Sequence, residues 1–318
     1  HMSMPPVLTN EQKRQLKLLE PSLKLASAGR DFEECKRLTA IIQNLLRPTG
    51  HETRLMQSKN WLYETAMEVG KIEYAIRGFV GVRQKTSKAT RLYLEATALL
   101  AICYLRKSDL DRARPFMIEA LRCEKNIKSA HKRSDFKVRV AKRFDEEALL
   151  SSIASKVTED LDVDRIQKDA ANLIQTKHED EILEMLGANI PEGALDFIEG
   201  VNAESKNLLT YDEKLRLPSP ATFQQKKKLG KGVLSAFQSV IWQSLCDRNS
   251  EVYKMWFTNG LQGVLNGKYL TTAIVGALAG LKICVYAIAV FLTSLLIKIG
   301  IETFCNVYQP NNLMGLRR

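Results

Sequence analysis

The sequence predicts an all-α protein, on three observations. Helix-favouring residues are frequent, whereas the 318 residues contain only 17 Gly, 9 Pro and 7% aromatic residues. Chains rich in β-structure use more turn, aromatic and β-branched residues. Apolar residues recur at helical spacing in the first third, and a 25-residue apolar segment near the C-terminus contains one charge. We expect helical hairpins over residues 1–144, an acidic helical connecting region over 145–217 and an apolar helical module with one long apolar helix over 218–318.

The charge distribution gives the same division. Residues 1–144 contain 29 Lys and Arg against 15 Asp and Glu, residues 145–220 contain 7 against 18, and residues 221–318 contain 11 against 3. Two interpretations remain open at this point. Either the acidic middle docks on its basic neighbours, in the same molecule or a second copy, or each block is a solvated surface.

The clearest helical hairpin in the first third begins at Ala98. Its first helix carries large, small and aromatic residues at Leu100, Ala101 and Tyr104, and its second carries small, large and small residues at Ala113, Met117 and Ala120. Small residues let two helices approach closely, while the large ones fill the gap beside the next hairpin. Asp109 lies between the two helices, where its carboxylate suits an N-cap.

Two earlier segments repeat this pattern and align on Cys35, Ala75 and Ala113, at spacings of 40 and 38 residues. Over about residues 10–125 the chain resembles a tetratricopeptide repeat protein, although the spacing exceeds the usual ~34 residues. An irregular helical bundle is the alternative. The resemblance implies a surface that binds a partner peptide or helix. Because the array is basic, we expect an acidic protein partner, with partner-binding residues at Arg91, Arg114 and Arg122.

Basic residues are dense between residues 106 and 143. A basic helical surface neutralises phosphates well, so nucleic-acid binding is an alternative function for this stretch. Few aromatic residues are interleaved with the charges for base stacking, and the motifs of common nucleic-acid-binding domains are absent from the sequence. An acidic protein is therefore the favoured partner.

The sequence contains no recognisable catalytic, cofactor-binding or metal-binding motif. The alternating acids that start at Asp160 lack the glycine and glutamate of a calcium loop, since Arg165 and Ala171 stand at those positions. His178 lies among acids without the second histidine of a zinc motif. The six cysteines form no C-x-x-C pair, so we expect free thiols and a cytoplasmic location. These observations predict a protein that is not an enzyme.

The segment 273–297 is the most distinctive part of the C-terminal module. A helix of this length spans about 37 Å, enough to cross a bilayer. Gly276 and Gly280 have the G-x-x-x-G spacing of closely packed membrane helices, and Trp242 and Trp256 suit an interface. Lys282 lies inside the segment and is costly in a bilayer. The alternative is therefore a central helix buried by its neighbours.

These features predict an adaptor or effector that is not an enzyme. Its N-terminal array would bind a protein, and its C-terminal module would mediate membrane association or self-association. Release of the apolar helix on binding would suit a defence effector. Two alternatives stay open: a soluble oligomeric scaffold with a buried C-terminal helix, and a nucleic-acid-associated regulator that uses residues 106–143.

Overall fold

The computed structural model describes residues 5–154, 158–248, 250–266 and 268–308. Within these ranges every regular element is helical, so the predicted all-α class is confirmed. The first six helices are α1 (Asn10–Ala28), α2 (Phe32–Leu46), α3 (Glu52–Glu68), α4 (Ile72–Lys85), α5 (Arg91–Arg106) and α6 (Leu110–Leu121). Each of them packs against the next along the chain. Cys35, Ala75 and Ala113, which the sequence alignment made equivalent, are all fully buried.

The same turn joins the two helices of each pair. Arg30, Gly70 and Ser108 have positive φ angles of 56°, 81° and 54°. After α1, the backbone N–H of Asp31 donates to the carbonyl of Ala26 and that of Arg30 to Ser27. Equivalent bonds follow α3 and α5, as in a Schellman motif. Asp31 and Asp109 then cap α2 and α6 by accepting backbone N–H bonds, as predicted for Asp109.

The long helix α7 (Ala130–Ser152) takes part in two hydrophobic cores. Phe136, Phe144 and Ala148 join the core of α1–α6. Leu150, in the last turn of α7, joins a second core that contains the C-terminal helices. The expected division between residues 144 and 145 therefore falls inside one continuous helix.

The rest of the chain forms nine α-helices and one 3-10 helix (Glu192–Ala194) within the described residues. The α-helices are α8 (Val163–Thr176), α9 (Glu179–Gly187), α10 (Leu195–Lys206), α11 (Tyr211–Leu215), α12 (Lys226–Cys246), α13 (Glu251–Asn266, with non-helical backbone at Gly260), α14 (Tyr269–Gly280), α15 (Tyr286–Ile299) and α16 (Ile301–Val307). From the acidic middle, α8 and α9 pack against α15, and α9 also against α12, whereas α10 packs against α6 and α7. The middle therefore divides between the two cores.

Ion pairs connect the acidic middle to both basic parts of the same molecule. The Arg114 Nε lies 2.6 Å from the Glu204 Oε1. On the other side, Lys227 pairs with Asp180 and Lys268 pairs with Asp164. Of the two interpretations of the charge blocks, these contacts favour docking on neighbours within the molecule.

The predicted single helix over residues 273–297 is wrong, because the chain turns in its middle. Helix α14 ends at Gly280, and Lys282 adopts a left-handed backbone with a φ of 59°. The N–H of Ile283 donates to the carbonyl of Leu278, which closes the same type of turn as in the N-terminal pairs. Lys282 is exposed while both its neighbours are buried. The turn thus brings the one charge of the segment to solvent.

The expectation of free thiols is wrong for two of the six cysteines. Cys246 at the end of α12 and Cys305 in α16 form a disulfide, with their Cα atoms 5.3 Å apart. The two residues are 59 positions apart in the chain, so their spacing carries no pairing signal. Cys35, Cys103 and Cys123 are free and buried, as expected for structural thiols.

Candidate functional site

Four charged side chains from three helices form a buried group, which we call the ionic cluster: Glu68 of α3, Arg106 of α5, and Arg143 and Glu147 of α7. The Glu147 carboxylate accepts bonds of 2.9 and 3.0 Å from Arg106 and one of 2.8 Å from Arg143. The Glu68 Oε1 accepts bonds of 3.1 Å from Arg106 and 3.2 Å from Arg143. Each carboxylate therefore bridges both guanidinium groups.

The cluster controls the ionisation of its own members. Burial raises the pKa of Glu68, but the positive charges of Arg106, Arg143 and Arg30 outweigh burial and lower this pKa to about 2. Burial lowers the pKa of Arg106, and the charges of Glu147 and Glu68 more than reverse that effect. Glu68, Arg106 and Arg143 are thus charged at neutral pH.

Glu64 lies one helical turn before Glu68 in α3 and behaves in the opposite way. Burial raises its pKa to about 8, and the negative charge of Glu68 adds to the effect. Its Oε2 is buried and has no hydrogen-bond partner among the described residues. Glu64 is therefore largely protonated at neutral pH.

The side chains around the ionic cluster also contact the C-terminal helices. Arg30, from the turn after α1, donates to the backbone carbonyl of Val240 in α12. Glu146 of α7 accepts a bond of 2.9 Å from the Ser239 hydroxyl, which in turn contacts the Tyr308 hydroxyl. Polar contacts thus join α1–α7 to α12 and to the end of α16.

Gly280 brings α14 against α3 at the edge of this contact. A Cβ at Gly280 would overlap the backbone oxygen of Glu68, and one at Gly70 would lie 3.1 Å from the Gly280 oxygen. Only residues without a side chain permit this approach. Gly276 has open space around its Cβ position and is exposed. Of the predicted glycine pair, Gly280 therefore packs within the molecule, and Gly276 faces outward.

The three predicted partner-binding arginines lie in different surroundings. Arg91 is half-buried and its Nε lies 3.4 Å from the buried Glu95 Oε1. Arg114 pairs with Asp111 and Glu204. Arg122 is exposed, and its side chain has no polar partner among the described residues. Two of the three are thus engaged within the molecule.

Residues 122–139, which we call the basic segment, follow α6 and continue into α7. This stretch contains seven Lys and Arg against two Asp and Glu. Five of its basic side chains are exposed and have no hydrogen bond or ion pair within the described residues: Arg122, Lys125, Lys128, Lys132 and Arg139. A concentration of uncompensated positive charge attracts acidic partners.

The other predicted C-terminal residues are not gathered in one place. Lys282 lines a shallow surface depression with Gly70 and Lys107. Trp242 is half-buried against the second core, and its Nε1 has no hydrogen-bond partner among the described residues. The side chain of Trp256 lies outside the described residues.

In the part of the chain that the structure describes, no single helix is both long and apolar enough to cross a bilayer. Helices α15 and α16 meet at a bend of 82°. Only when taken together do they have the length and apolar composition of a membrane span. The same ranges contain no group of three or more His, Cys, Asp or Glu arranged to hold a metal ion.

Sequence reasoning missed the ionic cluster. The spacing of Arg143 and Glu147 is a local signal for a helical ion pair, but such pairs are usually exposed. Glu68 and Arg106 are 38 positions apart and come together only because α3 and α5 pack side by side. Comparison with protein-family models, curated proteins and solved structures found no match to this chain.

Proposed function

We propose that this chain is a protein–protein interaction adaptor or effector, without enzymatic activity, that binds an acidic protein through the basic segment. Its N-terminal helix pairs would serve as a tetratricopeptide-like array that presents this surface. The C-terminal module would mediate self-association or membrane association after it separates from α1–α7.

The tetratricopeptide resemblance rests on repeated local structure. The left-handed residues Arg30, Gly70 and Ser108 follow one another at 40 and 38 residues, the same spacing as the aligned small residues of the second helices. Each pair packs on the next, as stacked hairpins do. These features support an array of three hairpins that is continued by α7.

The observation that carries the proposed binding surface is the set of five exposed, unpaired basic side chains in the basic segment. Internal ion pairs compensate other basic residues, including Arg106, Arg114 and Arg143. Free charges within one segment of the chain give an acidic partner both an attraction and a preferred position. Arg122 remains in the proposed surface, whereas Arg91 and Arg114 act in internal contacts.

The proposed role of the C-terminal module rests on its apolar character. Helices α14 and α15 supply much of the second core, and large apolar side chains remain exposed at Phe257 and Val307. The polar contacts of Arg30 and Glu146 with α12 hold the module against α7. Separation would expose apolar faces to a second copy or to a lipid surface.

The binding surface is tested by fluorescence anisotropy with a labelled polyglutamate peptide. The triple variant Lys125→Glu/Lys128→Glu/Lys132→Glu is expected to bind at least about tenfold more weakly, since each exposed pair contributes about 0.5 kcal/mol. The matched control is Lys13→Glu/Lys17→Glu/Lys36→Glu, which makes the same charge change at exposed positions of α1 and α2. Equal weakening by both variants would contradict a defined surface.

The same titration with duplex RNA and duplex DNA tests the alternative function. Tighter binding of a duplex than of polyglutamate, with a steep loss at high salt, would favour the nucleic-acid regulator. For the C-terminal module, full-length protein is compared by liposome flotation and sedimentation before and after its polar contacts with α1–α7 are removed by Arg30→Met/Ser239→Ala. A variant that stays monomeric and does not float would remove this part of the proposal.

A further inference from the structure

A cavity of about 260 Å³ lies between α7, α10, α12 and the segment 218–221, which contains two prolines. Most of its wall is apolar, with Leu149, Ile198 and Leu229 among the lining residues. One water occupies only about 30 Å³, so this space is far larger than a structural water requires. Its size approaches the ~300 Å³ at which small-molecule sites begin.

Two neighbouring carboxyl groups of α7 line this cavity and have unused acceptor atoms. The Asp145 Oδ2 accepts a bond of 2.9 Å from Asn202, while its Oδ1 is buried and has no partner among the described residues. Only 5% of Glu146 is exposed, and its Oε1 has no hydrogen-bond partner among the described residues. The Lys142 Nζ lies 3.7 Å from this Oε1. Asp145 is therefore the carboxyl that still lacks a donor.

Two lysine side chains of α12 line the same cavity. Lys228 and Lys231 are exposed lining residues. The Lys228 ammonium lies 3.5 Å from the Ser219 hydroxyl and donates to the Pro220 carbonyl at 3.2 Å, so it sits beside the proline segment. The cavity thus combines one buried carboxyl oxygen without a donor, apolar walls and exposed lysines at its edge.

We propose that this cavity binds a small zwitterion with an apolar body, whose ammonium group donates to the Asp145 Oδ1 and whose carboxylate lies against Lys228 and Lys231. A buried acceptor without a donor is costly, and a bound ammonium group removes that cost. An aliphatic or aromatic body of a few carbons replaces water along Leu149, Ile198 and Leu229. A ligand with charge at one end only would satisfy only half of the site.

The ionisation of Asp145 gives the binding a distinct pH dependence. Burial raises the pKa of Asp145 to about 7, against the lowering effects of Asn202 and Lys206. An ammonium ligand favours the ionised carboxylate, so affinity should rise about tenfold between pH 6 and pH 8, with proton release on binding at pH 6. Burial likewise raises the pKa of Glu146 to about 7. Lys142, Lys228 and Lys231 line the same cavity.

The test is isothermal titration of the full-length protein with 6-aminohexanoate, with hexylamine and hexanoate as one-ended controls. We expect one site per chain, at least tenfold tighter binding of the zwitterion than of either control, and loss of binding in Asp145→Asn. The double variant Lys228→Met/Lys231→Met should reduce the zwitterion to the affinity of hexylamine. Glu146→Gln should keep the rise in affinity with pH, because that rise is assigned to Asp145.

A second variant keeps the test valid if Asp145→Asn fails to fold. Ile198→Phe fills the cavity without changing its charge and should abolish binding. Full binding in a folded Ile198→Phe protein would overturn the location, and binding unaffected by Asp145→Asn would overturn the role of that carboxyl. Hexylamine binding as tight as 6-aminohexanoate would overturn the zwitterion. No heat from millimolar 6-aminohexanoate would mean that the cavity holds water only.

Discussion

Glu147→Gln removes one negative charge from the ionic cluster and leaves the size of the side chain unchanged. Glu147 is 1% exposed and accepts three hydrogen bonds from two arginines. In the variant, Glu68 is the only carboxylate left in the ionic cluster, and the guanidinium groups of Arg106 and Arg143 both face an amide. Removing one partner of a buried ion pair costs about 3–5 kcal/mol, because the other charge stays buried without compensation.

This loss is measured as the change in free energy of unfolding in urea, followed by far-ultraviolet circular dichroism. The matched control is Glu73→Gln, which removes the exposed partner of Lys107 and should cost less than about 1 kcal/mol. High salt should reduce the difference in free energy of unfolding between Glu73→Gln and wild type. It should leave the loss caused by Glu147→Gln nearly unchanged, since buried ion pairs are weakly screened. A Glu147→Gln loss as small as that of the control would refute the reasoning.

Three further perturbations test other parts of the structure. Because the pKa of Glu64 is raised to about 8 in the folded protein, its contribution is present below pH 4.5 and is lost as pH rises through 8. Glu64→Gln should therefore stabilise the protein at pH 9 but not at pH 4, as urea unfolding at both pH values would reveal. A rise in pKa from 4.5 to about 8, at about 1.4 kcal/mol per pKa unit, gives a stabilisation on the order of 5 kcal/mol. Cys246→Ser removes a disulfide between residues 59 positions apart and should lower the free energy of unfolding by about 4 kcal/mol, measured by thermal unfolding without reductant. Wild-type protein with reductant should have the same stability as the variant. Gly280→Ala should cost about 1–3 kcal/mol because its Cβ meets the Glu68 backbone, while Gly276→Ala should stay within about 1 kcal/mol; equal losses would contradict the assigned packing.

Local signals in the sequence predicted the helices of the first half well. The small residues Cys35, Ala75 and Ala113 are buried where helices approach each other, and Asp109 caps α6 as its position indicated. Such features depend on a few neighbouring residues and on helical periodicity, so a single sequence contains them. Gly200 shows the limit of this approach, since glycine is unfavourable inside helices and yet this one lies inside α10, near the Leu110 side chain.

The ionic cluster and the cavity depend on contacts between distant parts of the chain. Arg114 looks like a free surface charge in the sequence, yet its partner Glu204 is 90 positions away. The apolar run around Lys282 has the composition of a single helix, yet α14 ends at Gly280, where it packs against α3. Hydropathy measures how apolar a segment is, but it does not record which neighbours bury it.

Helix α7 contributes to both hydrophobic cores, so the two halves of the molecule depend on each other. Phe144 and Leu150 lie less than two turns apart on one rigid rod, yet they belong to different cores. If either core unfolded, apolar side chains of α7 would lose their neighbours and become exposed to water. We therefore expect a single cooperative unfolding transition. A protease that cuts after residue 217 should release an N-terminal fragment that aggregates, because the surface once covered by α12 is then open to solvent.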